Sequence, residues 1–258
     1  MSLTSANGLK RARALGIPFE GNPGKFNAIT DVPGLEVGMV TLKEGTDVRT
    51  GVTAICPRGK DKIGSACAAG FYSLNGNGEM TGTIWIEETG SLSMPVLITN
   101  THAVGTVHRG VIDWINQYKP ALAAQWLLPV VAETWDGYLN DINGPHVKTE
   151  HAIQAINNAT SGVIQEGSVG GGTGMNCYEF KGGCGSSSRI VKYANSEYVV
   201  AAFVQANFGS RSELRIAGVP MNDLDVPNPM NDISWFVQDK KDAKTPSGAG
   251  SVICIVAT

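Results

Sequence analysis

Charge is scarce in this chain of 258 residues and close to balanced: charged residues make up 17%, with 20 Lys and Arg against 23 Asp and Glu. A net charge of -3 supplies no cluster of cations for phosphate, so neither nucleic acid nor an anionic membrane surface is an expected partner. Long hydrophobic runs are missing too. The longest, Ala121 to Ala132, is broken by Gln125 and Pro129 and is too short to span a bilayer. The opening MSLTSANGLKRARALGIPFEG has basic residues but no apolar stretch of signal-peptide length after them. Cysteine is sparse: Cys56, Cys67, Cys177, Cys184 and Cys254 are odd in number and never spaced CxxC. That pattern predicts buried thiols in a reducing, cytoplasmic compartment rather than disulfides or a zinc site. The four histidines, His102, His108, His146 and His151, form no HxH, HExxH or HxxxH spacing, and no GxSxG elbow occurs. Neither a metal, nor a cofactor, nor a Ser-His-Asp triad is therefore expected.

What the chain does have is a 42% hydrophobic content and 32 glycines. The first predicts an ordered globular protein with a sizeable core, the second many tight turns and close backbone approaches. The first 28 residues read as a surface arm, with glycines and prolines breaking any helix begun at Leu9 to Leu15. Gly34 to Leu42 and Gly51 to Pro57 predict paired strands joined by the polar stretch Lys43 to Thr50, and short runs at Ser65 to Phe71 and Thr83 to Glu87 extend the meander. From Pro95 the texture alternates. Pro95 to Asn100 is a strand, and Val104, Val107, Val111, Ile112 and Trp114 then fall at helical spacing. Leu127 to Glu133 is a second strand, followed by a helix with Thr149 as its N-cap and Ala152, Ile153, Ala155 and Ile156 on one face. Arg189 to Tyr193 and Glu197 to Asn207 form a hairpin to which Glu213 to Val219 adds a third strand. Val199 to Val204 lacks polar alternation, which predicts burial on both faces. A Pro-, Asp-, Asn- and Lys-rich stretch of about 220–250 reads as an exposed linker. The last segment, SVICIVAT, is apolar on both faces and is expected in the middle of a sheet, so the sequence looks cut short there.

Two segments invite a chemical reading. GSVGGGTGM, Gly167 to Met175, is glycine-rich but lacks the GxGxxG register and a following GK[ST], so a tight loop packed near a site is favoured over a phosphate cradle. Gly248-Ala249-Gly250 followed by Ser251 at a strand start has the geometry for self-cleavage by an N-to-O acyl shift. Cleavage would make Ser251 an N-terminus whose own α-amine, with an unperturbed pKa of about 8, serves as general base to its hydroxyl.

Seven blocks in order carry a family resemblance: ITDVPGLEVG (Ile29 to Gly38), NGNGEMTG (Asn75 to Gly82), ITNTHAVGTV (Ile98 to Val107), VVAETWDGYLNDING (Val130 to Gly144), GGGTGMNCYEFKGGCGSSSR (Gly170 to Arg189), VQANFGSR (Val204 to Arg211) and GAGSVICIVAT (Gly248 to Thr258). Together they resemble the self-processing aminopeptidases of the DmpA and β-peptidyl aminopeptidase group. The resemblance implies an α+β fold, an αββα four-layer sandwich like that of the N-terminal-nucleophile hydrolases but differently connected. It implies one domain over 1–258, with 1–250 as the α-subunit region and 251–258 as the first strand of an incomplete β subunit. It makes Gly250-Ser251 the cleavage site, Ser251 the nucleophile and Asn207 an oxyanion-hole amide. Glu133 is matched to the acidic residue that receives a substrate's free amino group, and Trp135 and Tyr138 line that pocket. Some relatives have Tyr where this chain has Trp135, so the second oxyanion donor stays open. The implied substrates are short peptides, amides or esters with a free amine, and the implied assembly is a tetramer of αβ units. Family members continue beyond the nucleophile strand with a Ser and a Glu that assist the nucleophile. Two other readings stand beside this one: an inactive fragment that keeps the pocket, and a small-ligand module that binds an anion at Gly167 to Gly174.

Overall fold

The computed structural model describes residues 1–221, 224–228, 230 and 250–258. Two sheets form its centre. In the first, β1 (Glu36–Glu44) and β2 (Val48–Cys56) pair antiparallel, β2 pairs antiparallel with β3 (Val96–Asn100), and β3 runs parallel to β4 (Val130–Thr134). In the second, β6 (Ser196–Asn207) lies between β5 (Gly183–Tyr193) and β7 (Ser251–Ala257), all antiparallel. The parallel β3/β4 pair requires a crossover, and α2 (Val104–Tyr118) supplies it. α3 (Thr149–Asn157) lies beside α2, while the short α1 (Thr83–Thr89) precedes β3.

Strand alternation explains the layering. Val52, Ala54, Leu97 and Val131 point to the helices and bury against Val107, Val111, Trp114, Ile115, Ala152 and Ile156. Ile55, Ile98 and Ala132 point the other way and meet Ala201 and Phe203 of the second sheet. The order is helices, sheet, sheet: an α+β sandwich, of which the described residues furnish three layers. Two glycines let α3 approach its neighbours closely. A Cβ at Gly38 would stand 2.0 Å from the Ala155 carbonyl, and one at Gly110 would stand 2.7 Å from the Ala152 Cβ. α3 thus rests on β1 and against α2 only because neither position has a side chain.

Several expectations need correcting. Thr83 to Glu87 is helix, not strand: Gly82 and Gly90, both left-handed, bound a short helix that buries Ile86 alone. The β1–β2 connection is shorter than expected, because Lys43, Glu44 and Val48 to Thr50 continue the ladder. Pro129 delays β4 to Val130, and Thr149 is the first residue of α3 rather than its cap. There the Lys148 N–H donates to His151 Nδ1. Ile112 is only half-buried, and Ile115, three residues on, joins Val111 and Trp114 on the inward face. Arg215–Ile216 pairs with Val219–Pro220 in a separate small hairpin, and the third strand of the second sheet is β7. β6 is buried on one face: Ala201, Phe203, Gln205 and Asn207 point inward while Val200 stays exposed. β7 is likewise an edge strand of the described sheet rather than a central one. Among the described residues it pairs with β6 alone, and Val252, Cys254 and Val256 lie on the face turned away from the first sheet, where they are exposed. The linker of about 220–250 falls mostly outside the described residues.

The N-terminal arm is fastened more firmly than its composition suggests. Arg11 donates to the carbonyls of Phe26, Asn27 and Ser186 and to both carboxylate oxygens of Glu166. Its side chain is 8% exposed. Removing one partner of such a pair strands the other charge, so Arg11→Ala should cost about 3 kcal/mol of stability. Arg11→Lys should recover only part, since an ammonium cannot match the guanidinium fork. Thermal melts of the two variants check this.

Candidate active site

The register of the second sheet places Ser251, the first residue of β7, directly opposite Asn207, the last of β6. Asn207 Nδ2 donates to Ser251 Oγ at 3.3 Å. The orientation of that amide is fixed from behind, because Asn207 Oδ1 accepts the Asn176 N–H at 3.0 Å. A second donor arrives from the other sheet: the backbone N–H of Trp135, just past the end of β4, reaches Ser251 Oγ at 3.0 Å. Two N–H groups from two rigid strand ends therefore converge on one hydroxyl oxygen. Gly250 packs so closely on Phe208 that a Cβ there would lie 2.6 Å from the Phe208 Cβ. Only glycine fits before Ser251.

Glu133 sits two residues before Trp135 and is buried, at 5% exposure. Its neighbours explain how a carboxylate is tolerated there. Thr101, in the turn that leads from β3 into α2, donates its hydroxyl to Glu133 Oε2. Gly78, in the NGNG loop, lies close enough that a Cβ would be 2.8 Å from Glu133 Oε1. Asn100 prepares this corner. Its Oδ1 accepts the Ala103 N–H at the start of the helical turn, and its Nδ2 donates to Thr50 Oγ1. The site thus stands at the carboxyl ends of the parallel pair β3 and β4, where the chain leaves the sheet.

A polar layer supports these groups from below. Gln205 of β6 donates to Thr134 Oγ1 at 2.6 Å, tying the strand before Trp135 to the opposite sheet. Gly171 of the glycine-rich loop donates its N–H to Thr53 Oγ1 and lies so near Gln205 that a Cβ would approach Oε1 to 2.6 Å. That segment is a buried packing loop. Asp136 is fully buried, accepts from Asn140 Nδ2 at 3.1 Å, and its Oδ2 has no hydrogen bond among the described residues. Burial pushes its carboxyl up to about 6, opposed by the polar side chains of Thr50, Asn140 and Asn100. Burial also pushes the Cys56 and Cys184 thiols up to about 12, which keeps them protonated and inert. Cys254, expected inside, is exposed, because it lies on the outer face of β7.

Of the residues singled out from sequence, Ser251, Asn207 and Trp135 meet directly, and Glu133 stands next to them along β4. Trp135 meets Ser251 through its backbone N–H rather than through its ring. Tyr138 is half-buried in the turn that follows. Sequence reasoning passed over Thr101, Asn176, Asp136 and Gln205. Thr101 and Asp136 lie inside the ITNTHAV and ETWDGY blocks, whereas the Asn176 contribution is a backbone N–H that no residue type announces.

The sequence profile of Peptidase family S58 matches residues 27–258. The β-peptidyl aminopeptidase BapA of Sphingosinicella microcystinivorans is 52% identical over 221 residues, which is 83% of this chain and 55% of that protein. BapA of Sphingosinicella xenopeptidilytica is 42% identical over 257 residues, 96% of this chain and 63% of that protein. The solved L-aminopeptidase D-Ala-esterase/amidase of Ochrobactrum anthropi, described as a variant of the Ntn hydrolase fold, superposes with a TM-score of 0.85 at 41% identity. That match covers 95% of this chain and 66% of the other. The chain therefore spans between about half and two thirds of the length of these relatives.

Proposed function

Because the chain belongs to peptidase family S58, we propose that it contributes the nucleophile, the oxyanion donors and the amine-binding carboxylate of a self-processing serine aminopeptidase. The observation that carries this reading is the convergence of the Trp135 N–H and Asn207 Nδ2 on Ser251 Oγ, directly behind Gly250.

In maturation, Ser251 Oγ attacks the Gly250 carbonyl carbon. An ester forms between them, the Gly250-Ser251 C–N bond breaks, and the Ser251 nitrogen takes up the hydroxyl proton. Water then hydrolyses the ester, leaving a carboxylate on Gly250 and a free amine on Ser251. In turnover that amine accepts the Oγ proton as Oγ attacks the substrate carbonyl, and it returns the proton to the leaving amine. The two N–H donors stabilise the oxyanion of each tetrahedral intermediate. Water releases the acyl group in a second passage. Glu133 receives the substrate's ammonium and so selects N-terminal residues, with Trp135 and Tyr138 lining the pocket. The substrates are short peptides, amides or esters with a free amino group.

In this reading residues 1–250 form the α subunit, and Ser251 begins the β subunit, with αβ units assembling into a tetramer. The free state of all five cysteines supports a cytoplasmic location. The test uses the complete protein and an aminoacyl anilide in its free and N-acetylated forms. Hydrolysis of the free form alone is the expected result. Equal use of both removes the case for Glu133, and use of neither removes the aminopeptidase reading.

A further inference from the structure

We propose that Asp136 is a positioning residue for this reaction, its buried carboxylate fixing the backbone just after Trp135 so that the N–H of the Thr134–Trp135 peptide stays on Ser251 Oγ. The proposal rests on the aminopeptidase reading of the site, and nothing in that mechanism uses Asp136. Yet a fully buried carboxyl with one oxygen lacking a hydrogen bond, one residue from an oxyanion donor, needs a physical account.

The geometry supplies one. β4 ends at Thr134, and the chain must turn at once to aim the next N–H across the sandwich. Thr134 is held by Gln205 on one side of Trp135. On the other side Asp136 closes a compact turn: its carbonyl accepts the Leu139 and Asn140 N–H groups, and its Oδ1 accepts Asn140 Nδ2. Asn140 Oδ1 in turn accepts the Arg49 N–H, which fastens the turn to β2. Trp135, whose N–H is the donor, is thus clamped between two anchored residues, Thr134 and Asp136.

An acceptor suits the surroundings of Asp136. From β2 it meets Thr50, whose Oγ1 already accepts from Asn100 Nδ2 and so leaves its proton to face the carboxylate. From the end of β3 it meets Asn100, from its own turn Asn140, and from the glycine-rich loop Gly174, where a Cβ would stand 2.7 Å from the Asp136 Cβ. The charged groups nearby turn elsewhere. Arg49 sends its guanidinium to the carbonyls of Glu44, Gly45 and Val48, Asp141 pairs with His146, and Glu133 is bonded to Thr101. Among the described residues no cation compensates the carboxylate.

Two opposite effects follow. The folded carboxyl ionises at about 6 rather than 3.8, so the folded state favours the protonated form. Stability from this group is complete below the unfolded value and is lost as pH rises through the folded one. At neutral pH the ionised residue therefore weakens the fold, while its acceptor character keeps the donor aligned. An amide of the same shape reverses both: it needs no desolvated charge, but it leaves one acceptor oxygen where the carboxylate has two, and the backbone beside it shifts.

The experiment compares Asp136→Asn with wild type in the complete protein. At pH 7.5 the variant should melt about 5 °C higher, with the difference vanishing near pH 4. Its kcat on a free aminoacyl anilide should fall at least about tenfold while KM stays within about twofold, the signature of a loss felt in the transition state. Wild-type kcat should fall as pH drops through about 6, a limb Asp136→Asn lacks. Asn140→Ala, which removes a hydrogen bond that lowers the Asp136 pKa, should move that limb to higher pH. Activity and stability lost together in Asp136→Asn, or a limb that Asn140→Ala leaves in place, would overturn the proposal, as would unchanged kcat beside an active wild type. An inactive wild type defeats the aminopeptidase reading and this proposal with it.

Discussion

Ser251→Ala in the complete protein should run as one uncut chain and hydrolyse no aminoacyl substrate. The expectation rests on how little redundancy surrounds this hydroxyl. Ser251 Oγ is the atom on which the Trp135 N–H and Asn207 Nδ2 both converge, and the residue follows a glycine that no other side chain can replace without striking Phe208. Removing the oxygen removes the acyl acceptor of maturation and of turnover together, so the loss is a whole mechanism rather than a fraction of a barrier. Ser251→Cys, which keeps a nucleophile, should retain slow processing. Removing one donor instead, as in Asn207→Ala, should slow turnover on the order of 100- to 1,000-fold. Intact mass and gel mobility read the first effect and anilide hydrolysis the others. A Ser251→Ala protein cut like the wild type would show that the nucleophile lies elsewhere.

Glu133→Gln should lower kcat/KM for free-amine substrates on the order of 100-fold, the cost of stranding one member of a buried charge pair. The fold should survive. Gln keeps an oxygen to accept the Thr101 hydroxyl, and its size matches the space left by Gly78. The melting temperature should therefore move little while selectivity collapses, because an amide binds an ammonium and a neutral N-acetyl group with similar weakness. Glu133→Asp, with the charge drawn back by one methylene, should fall between. A variant that loses stability as much as activity would mark Glu133 as a structural carboxylate.

How much of this was legible beforehand depends on what kind of signal carried it. Helical spacing over Val104 to Trp114 and the short apolar run Pro95 to Asn100 are strong local signals, and a helix and a strand formed there. Thr83 to Glu87 misled because β-branched and aromatic residues read as strand, whereas two left-handed glycines made a short helix of it. The small-residue start of β5, GCGSSSR, carries no strand signal of its own. It pairs because β6 offers a complete edge, with Ser186, Ser187 and Ser188 opposite Phe203, Ala202 and Ala201. At the site, Asn207 and Glu133 were legible only through their motif blocks, since a strand-end Asn or Glu has no signature alone, whereas Ser251 also stood out as a hydroxyl residue opening a strand after Gly248-Ala249-Gly250. The Asn176 N–H behind Asn207 and the Trp135 N–H before Ser251 were not legible at all, being backbone groups aimed by tertiary structure.

The seven-residue strand that begins at Ser251 is hydrogen-bonded to β6 from its first residue to its last. A cut at Gly250-Ser251 therefore falls just outside a completed ladder and severs covalent connection without subtracting any cross-strand pair. The two polypeptides it makes are already assembled when they come into being. They need no encounter in solution, so their union should be insensitive to dilution and yield only to denaturant. Maturation in such an arrangement is irreversible in its chemistry but nearly silent in its conformation: one new charged amine and one new carboxylate appear side by side, at the one place where a strand starts.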